Sequence, residues 1–556
     1  MEPNNAPLDS VTKHRRVIPR WKSPQQAVEV YCIDNGRLLE RQRAANSWLK
    51  RLATSYDLLP SPHTANELYE TASLYDRVSE LPDAVVQRSA HLRSEGERAN
   101  VHLLQYGASP KNTNLDLDGA VNDHERLARQ EIHRLRKLLS DDPNRPFCWS
   151  ELSRHFSVVA EKEKSVSCMQ AALQLGKHNR YLCRAAARLF VHVQDIDRAL
   201  HLLRAEPDIK DDPWLLAAEI AISSITNKRS RFLDAGTRLM SSKTCDDKQL
   251  SELASALGTV ELAHGTIKRA KELFGRSLKA PTENALAQAQ WAVEQDSKIV
   301  IPVSAWSTPS SHEAITLASR QAHQWTNALR ACAAWLVDEP FSSRPAIMGS
   351  YIAFRPENIN LAEQFATAGL CGDKANFHLL NNRAVVRAYQ GKIEAAYEDV
   401  TLALQQDDAR NSAHLMATLG LIAFRSGMPD IGRVYYAQSI SWLSQAKHSS
   451  GVASGILHLL REEIRLDSSF IPTAIPIVER IAKSVTLARH PEIIGMTELF
   501  FEETRKPTTD GREATSLVRS PASPDDLNYQ ASLFHVPEKA KAVYPKLSDF
   551  SKLVQP

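Results

Sequence analysis

The sequence predicts an all-α protein built as a stack of helical hairpins, and three observations predict it. A small residue recurs at Ala328, Ala362, Ala396 and Gly432, at successive steps of 34, 34 and 36 residues. Apolar positions repeat with helical period on both sides of two turn glycines, Gly391 and Gly427. Glycine makes up only 20 of 556 residues, about half the usual ~7%, while long β-branched runs are scarce. At roughly 150 residues per domain the chain holds material for three or four domains.

Taken in order, residues 1–23 read as a basic, flexible arm. Lys13, Arg15, Arg16, Arg20 and Lys22 against Glu2 and Asp9 give this arm a charge of +3, which is the whole net charge of the chain. Residues 24–144 read as an N-terminal helical region that ends in the amphipathic helix ERLARQEIHRLRKLLS. Residues 145–297 form a first block of four hairpins, with Ser165, Ala199, Ala235 and Ala270 at the small-residue positions. Residues 298–310, KIVIPVSAWSTPS, break the helical period. A second block of four hairpins follows over 311–445, then closing helices over 446–504, which a stack needs because its end face would otherwise leave apolar surface wet. Residues 505–556 are a proline-containing tail of turn and disorder composition.

The constant interval has a steric origin. Two antiparallel helices approach closely only where one presents Ala, Gly or Ser and a large neighbour fills the adjoining hole. Segments such as LLNNRAVVRAYQGKIEAAYEDVTLALQQD, SELASALGTVELAHGTIKRAKELFGRSLKAP and NALRACAAWLVDEP carry this layout. On these residues the chain resembles the tetratricopeptide-repeat family, and DPWLLAAEIA and DEPFSSRPAIMGSYIA resemble uncharacterised bacterial members of it. The resemblance covers about half of the chain, and it implies a right-handed α-solenoid.

Little in the sequence carries chemistry. NLDLDGAVNDHE approaches the EF-hand calcium loop, with Asn114, Asp116, Asp118 and Glu125 as candidate ligands. Asn stands where the first Asp belongs, and Gly107 and Pro110 interrupt the entering helix, so an Asx turn capping the next helix is the favoured reading. No zinc spacing, phosphate-binding glycine loop or nucleophile elbow occurs, and pairs such as Glu462-Glu463 read as solvated helix faces. No enzyme and no cofactor is expected. Seven cysteines without a C-x-x-C pair, no apolar run of membrane length and a polar start lead to the expectation of a cytoplasmic protein without a membrane partner.

The resemblance implies that a partner polypeptide lies in a concave groove lined by first helices. Candidate groove residues are Tyr351, His378, Asn381, Asn382, Tyr389, His414, Thr418 and Arg425. Some family members clamp a chaperone C-terminal carboxylate with Lys, Asn and Arg on three repeats; only Asn382 fits that pattern, so a chaperone adaptor is disfavoured. The main expectation is a non-catalytic interaction scaffold or adaptor. The alternative is a regulatory or sensor subunit of a bacterial multi-protein system, in defence or otherwise associated with nucleic acid. In that reading Lys13, Arg15, Arg16, Arg20, Trp21 and Lys22 touch phosphate or an acidic partner. A short basic arm that folds onto the solenoid or stays loose is preferred to that contact. Partner identity and oligomeric state have no sequence signal.

Overall fold

The computed structural model describes residues 15–23, 49–61, parts of 64–89, residue 121, and 123–505 apart from 227–228, 243–244, 297, 355–357, 407–411 and 485–489. Every element among the described residues is helical. The helices α1 (His124–Asp141), α2 (Pro146–Val158) and α3 (Lys162–Leu175) open the regular part. The next hairpins are α4 (Arg180–His192) with α5 (Ile196–Ala205), α6 (Pro213–Ser223) with α7 (Leu233–Ser241), and α8 (Asp247–His264) with α9 (Ile267–Ser277). Helix α10 (Glu283–Gln295) is followed by a short 3-10 helix, Val303–Ser307, instead of a second α-helix. Hairpins resume as α11 (His312–Gln321) with α12 (Trp325–Asp338), α13 (Ser343–Phe354) with α14 (Ile359–Gly372), α15 (Phe377–Tyr389) with α16 (Ile393–Leu404), and α17 (Ala413–Arg425) with α18 (Pro429–Gln445). Helices α19 (Ser449–Arg465), α20 (Ile471–Lys483) and α21 (Pro491–Arg505) end the described chain. This is a tetratricopeptide-repeat-like α-solenoid.

Local chemistry sets the helix starts. Asn179, Asp195, Asp212, Thr266, Thr282, Asn376 and Ser412 each accept a backbone N–H of the first turn, and Asp246 forms a reciprocal capping box with Gln249. The turns explain why the repeat is clearer in the second half of the sequence. Gly391 and Gly427 hold φ of 75° and 77°, whereas Ala160, Gln194 and His323 occupy the same left-handed region with φ of 59°, 66° and 58°. The geometry is the same, but the glycine signal is absent.

Packing at the crossings follows the small-residue series. Ser165, Ala199, Ala270, Ala328, Ala362 and Ala396 are fully buried. At the α17–α18 crossing two glycines face each other: a Cβ on Gly420 would lie 2.7 Å from the Tyr436 ring, and one on Gly432 would overlap Phe424 and lie 3.0 Å from the Gly420 carbonyl oxygen. Gly432→Leu is therefore expected to destabilise the hairpin by about 1–3 kcal/mol. Hydrogen exchange across α17 and α18 reads this loss, and unchanged protection would contradict it.

The chain divides into two compact units. Of the described residues, 350–370 and 375–505 form the C-terminal unit. Buried acids hold its helices together: Arg425 and Arg465 meet Glu462 at 2.8 and 3.2 Å, and Arg433 meets Glu463 at 2.7 Å. The expectation that Glu462-Glu463 is a solvated face is corrected, because both carboxylates are buried and ion-paired.

The N-terminal unit comprises Val11–Gly349 together with Cys371–Lys374. Its hairpins close into a turn. The His124 Nε2–H donates to the Pro340 carbonyl at 2.7 Å, the Arg188 guanidinium lies 4.8 Å over the Phe341 ring, and His192 meets that ring edge-on at 5.5 Å. Residues of α1 and α4 thus touch the α12–α13 connection. Residues 15–23 lie inside this turn.

Candidate polypeptide-binding groove

Residues 15–23 have no regular secondary structure, yet Arg15, Val17, Arg20, Trp21 and Lys22 are buried. Three cations on an extended segment can be buried only where carboxylates replace water. Four acids supply that replacement: Glu283 at the start of α10, Glu313 at the start of α11, Asp338 at the end of α12 and Glu339 just after it.

Arg15 makes the tightest set of contacts. Its Nε and Nη2 donate to the two Glu313 carboxylate oxygens at 2.9 and 2.8 Å, its Nη1 donates to Gln288 Oε1, and its Nη2 also donates to Asn284 Oδ1 at 2.9 Å. Arg20 shares Glu313 and donates to Glu339 Oε2 at 3.1 Å. Lys22 Nζ lies 3.2 Å from Glu283 and 3.3 Å from Asp338. Between these cations Trp21, with no exposed surface, packs 5.2 Å from Phe341 and donates its Nε1–H to Ser150 Oγ at 3.3 Å. The half-buried Arg16 donates to Ser224 Oγ at 2.8 Å.

The groove also reads the backbone. Gln288 Nε2 donates to the Arg15 carbonyl at 3.1 Å, Asn284 Nδ2 to the Ile18 carbonyl at 2.9 Å, and the Tyr181 hydroxyl to the Lys22 carbonyl at 2.7 Å. Ser150, Tyr181, Asn284, Gln288, Glu283 and Glu313 sit on α2, α4, α10 and α11, first helices of their hairpins or, for α10, in the equivalent place, while Asp338 and Glu339 come from the end of α12 and Ser224 from just after α6. The regular interval of the repeat therefore positions a row of polar side chains along one inner wall.

Charge states follow from this arrangement. Burial pushes the Glu313 carboxyl up, but Arg15, Arg344 and Arg20 together outweigh it and hold the group well below the usual carboxylate range. Against the same burial penalty, Glu339 is lowered by Arg20 and Arg188, and Glu283 by Lys22 and Arg20. Arg20 and Lys22 are raised, because their carboxylates outweigh desolvation. Glu283, Glu313, Glu339, Arg20 and Lys22 therefore stay ionised at neutral pH.

Several histidines are held neutral instead. Burial pushes His124 and His155 down, takes His192 to about 3 with help from Arg188 and Lys162, and takes His378 to about 4 with help from His414. In the unfolded chain each titrates near 6.5. Below that pH the unfolded state binds protons that the native state refuses, so stability falls as pH drops, by up to about 1.4 kcal/mol per pH unit per histidine. The depressed carboxylates add to this loss only below about pH 4.5. Unfolding measured between pH 7 and 5 should show a falling midpoint; a flat profile there would contradict the neutral buried histidines.

The structure places the sequence candidates as follows. Of the arm expected to be flexible over 1–23, the described residues 15–23 are packed against the unit, with Arg15, Arg20, Trp21 and Lys22 enclosed by the chain's own acids and not open to phosphate. Lys13 lies outside the described residues. Asn114, Asp116 and Asp118 also lie outside them, and the Glu125 carboxylate accepts from Arg129 at 2.6 Å.

In the C-terminal unit the candidate residues lie on successive first helices α13, α15 and α17. Asn382 donates to Ser350 at 2.9 Å, and Thr418 donates to Asn381 at 2.7 Å. Tyr389 packs against Phe354 at 5.0 Å and beneath Arg425 at 4.6 Å, while His414 neighbours His378. Thr418 is buried and Arg425 is committed to Glu462, so both serve the packing of the stack. Tyr351, His378, Asn381, Asn382, Tyr389 and His414 are half-buried. Sequence reading missed Glu283, Asn284, Gln288, Glu313, Asp338 and Glu339. The available signal was an acid or amide near the start of two neighbouring first helices, together with the cationic excess of residues 1–23.

Fold and groove together define a hairpin solenoid that holds an extended segment of its own chain. No protein-family model matches the sequence, and a search of curated proteins finds no match. Among solved structures, the chain is similar to yeast Tom70, at 13% identity over 69% of this chain and 96% of that one, with a TM-score of 0.27. It is also similar to the APC/C hetero-tetramer Cut9-Hcn1, at 11% identity over 93% and 94% of the two chains, with a TM-score of 0.33.

Proposed function

We propose that the protein is a non-catalytic interaction scaffold whose first-helix walls hold partner polypeptides. The observation that carries this reading is residues 15–22, an extended segment gripped through both side chains and carbonyls by such a wall. That grip is the recognition a partner segment would need. In the C-terminal unit, the row formed by Tyr351, His378, Asn381, Asn382, Tyr389 and His414 is the proposed partner surface. Among the described residues no group of acids, histidines and cysteines is arranged to hold a metal ion, and no helix is long and apolar enough to cross a membrane.

The test is co-purification of partners with the intact protein and with a His414→Glu, Asn382→Asp variant, whose helicity and melting are checked first. Loss of specific partners from a folded variant supports the reading. Retention of every partner by that variant, or absence of any stoichiometric partner from the intact protein, overturns it.

A further inference from the structure

We infer that the inner groove of the N-terminal unit is a receptor for basic segments of the pattern Arg-x-x-x-x-Arg-Trp-Lys. Residues 15–22 are its resident ligand, and a partner carrying the same pattern competes with them. This deepens the scaffold reading and rests on it, by naming the chemistry of the partner and the element that regulates access.

Three features carry the inference. First, the groove is complementary to that pattern in charge and order: Glu313 faces both arginines, Glu339 the second, and Glu283 with Asp338 the lysine. Second, the tryptophan fills a closed aromatic site against Phe341 with its N–H satisfied by Ser150. An arginine pair fixes register, and a buried aromatic beside it supplies the anchor, as in strong recognition sites. Third, an emptied groove would leave its four carboxylates short of cations, with Arg344 the remaining close partner of Glu313. Burial without counter-charge is costly, so the vacant state favours uptake of another cationic segment over staying empty.

None of these contacts requires residues 15–22 to be covalently joined to residue 49 and beyond. The covalent link supplies only local concentration, on the order of 1 mM. A segment with an intrinsic Kd on the order of 10 μM would therefore bind the intact protein about a hundredfold more weakly than a protein whose own segment is free to leave.

The experiment uses the full chain with a site-specific protease sequence inserted after residue 30, and a fluorescent peptide spanning residues 12–25. After cleavage, the label should enter the protein as the resident segment leaves, with apparent affinity about a hundredfold tighter than for the uncut protein. A peptide with Arg20→Glu should fail to enter. If the cut protein keeps its own segment and takes up no label short of unfolding, the segment is a fixed part of the core and the inference falls. Equal uptake by uncut protein, or equal uptake of the charge-reversed peptide, overturns it as well. Partners that still co-purify while peptide exchange fails would overturn this inference and leave the scaffold reading standing.

Discussion

Replacing Glu313 with alanine is expected to cost the N-terminal unit about 3–5 kcal/mol, because it removes one partner of a buried ionic cluster. Glu313 accepts both arms of the Arg15 guanidinium, shares Arg20, and pairs with Arg344. Without it the buried Arg15 and Arg20 and the partly exposed Arg344 face one another, and the repulsion already present among them loses its main offset, Glu339 remaining for Arg20 alone. Hydrogen exchange in α10 and α11 should accelerate by two to three orders of magnitude, at about 1.4 kcal/mol per factor of ten. Glu313→Gln should fall between alanine and the parent, since it keeps the shape and one acceptor but not the charge. An alanine variant with unchanged exchange would show that the cluster does not hold the unit together.

Trp21→Ala is expected to cost a similar amount, about 3–5 kcal/mol, through a different mechanism. The indole has no exposed surface, sits within the main core of the unit and leaves the Ser150 hydroxyl without its donor when removed. The cavity would lie between α2 and the α12–α13 connection, where the turn closes through Phe341. The effect should therefore spread to both ends of the turn, with faster exchange in α2, α4 and α12. Loss confined to the segment itself would contradict a closing role for Trp21.

These two residues mark the limit of what the sequence makes legible. Ala199, Ala270, Ala328, Ala362 and Ala396 announce the hairpin crossings because a local steric rule repeats at a fixed interval, and each is fully buried. Gly391 and Gly427 announce turns for the same reason. The equivalent turns at Ala160, Gln194 and His323 reach the same geometry with ordinary residues, so the pattern fades there although the fold does not. The groove obeys no local rule. Arg15 and Glu313 are 298 positions apart, and nothing periodic ties a cation before the first hairpin to an acid in a later one. The cationic excess of residues 1–22 was visible in the sequence; its destination depends on how the stack curves, which the residue pattern does not encode.

Limited digestion with trypsin, read by intact-mass measurement, tests the central claim that residues 15–22 are enclosed by the first-helix wall. Arg15, Arg16, Arg20 and Lys22 offer the protease cleavable positions that stay buried or half-buried while the unit is folded. The account predicts that peptide bonds after these four residues are cut about a hundredfold more slowly than in a free peptide of residues 12–25, while α10 and α11 stay intact. Cutting there at the rate of an unstructured peptide, with the helices still intact, would contradict it.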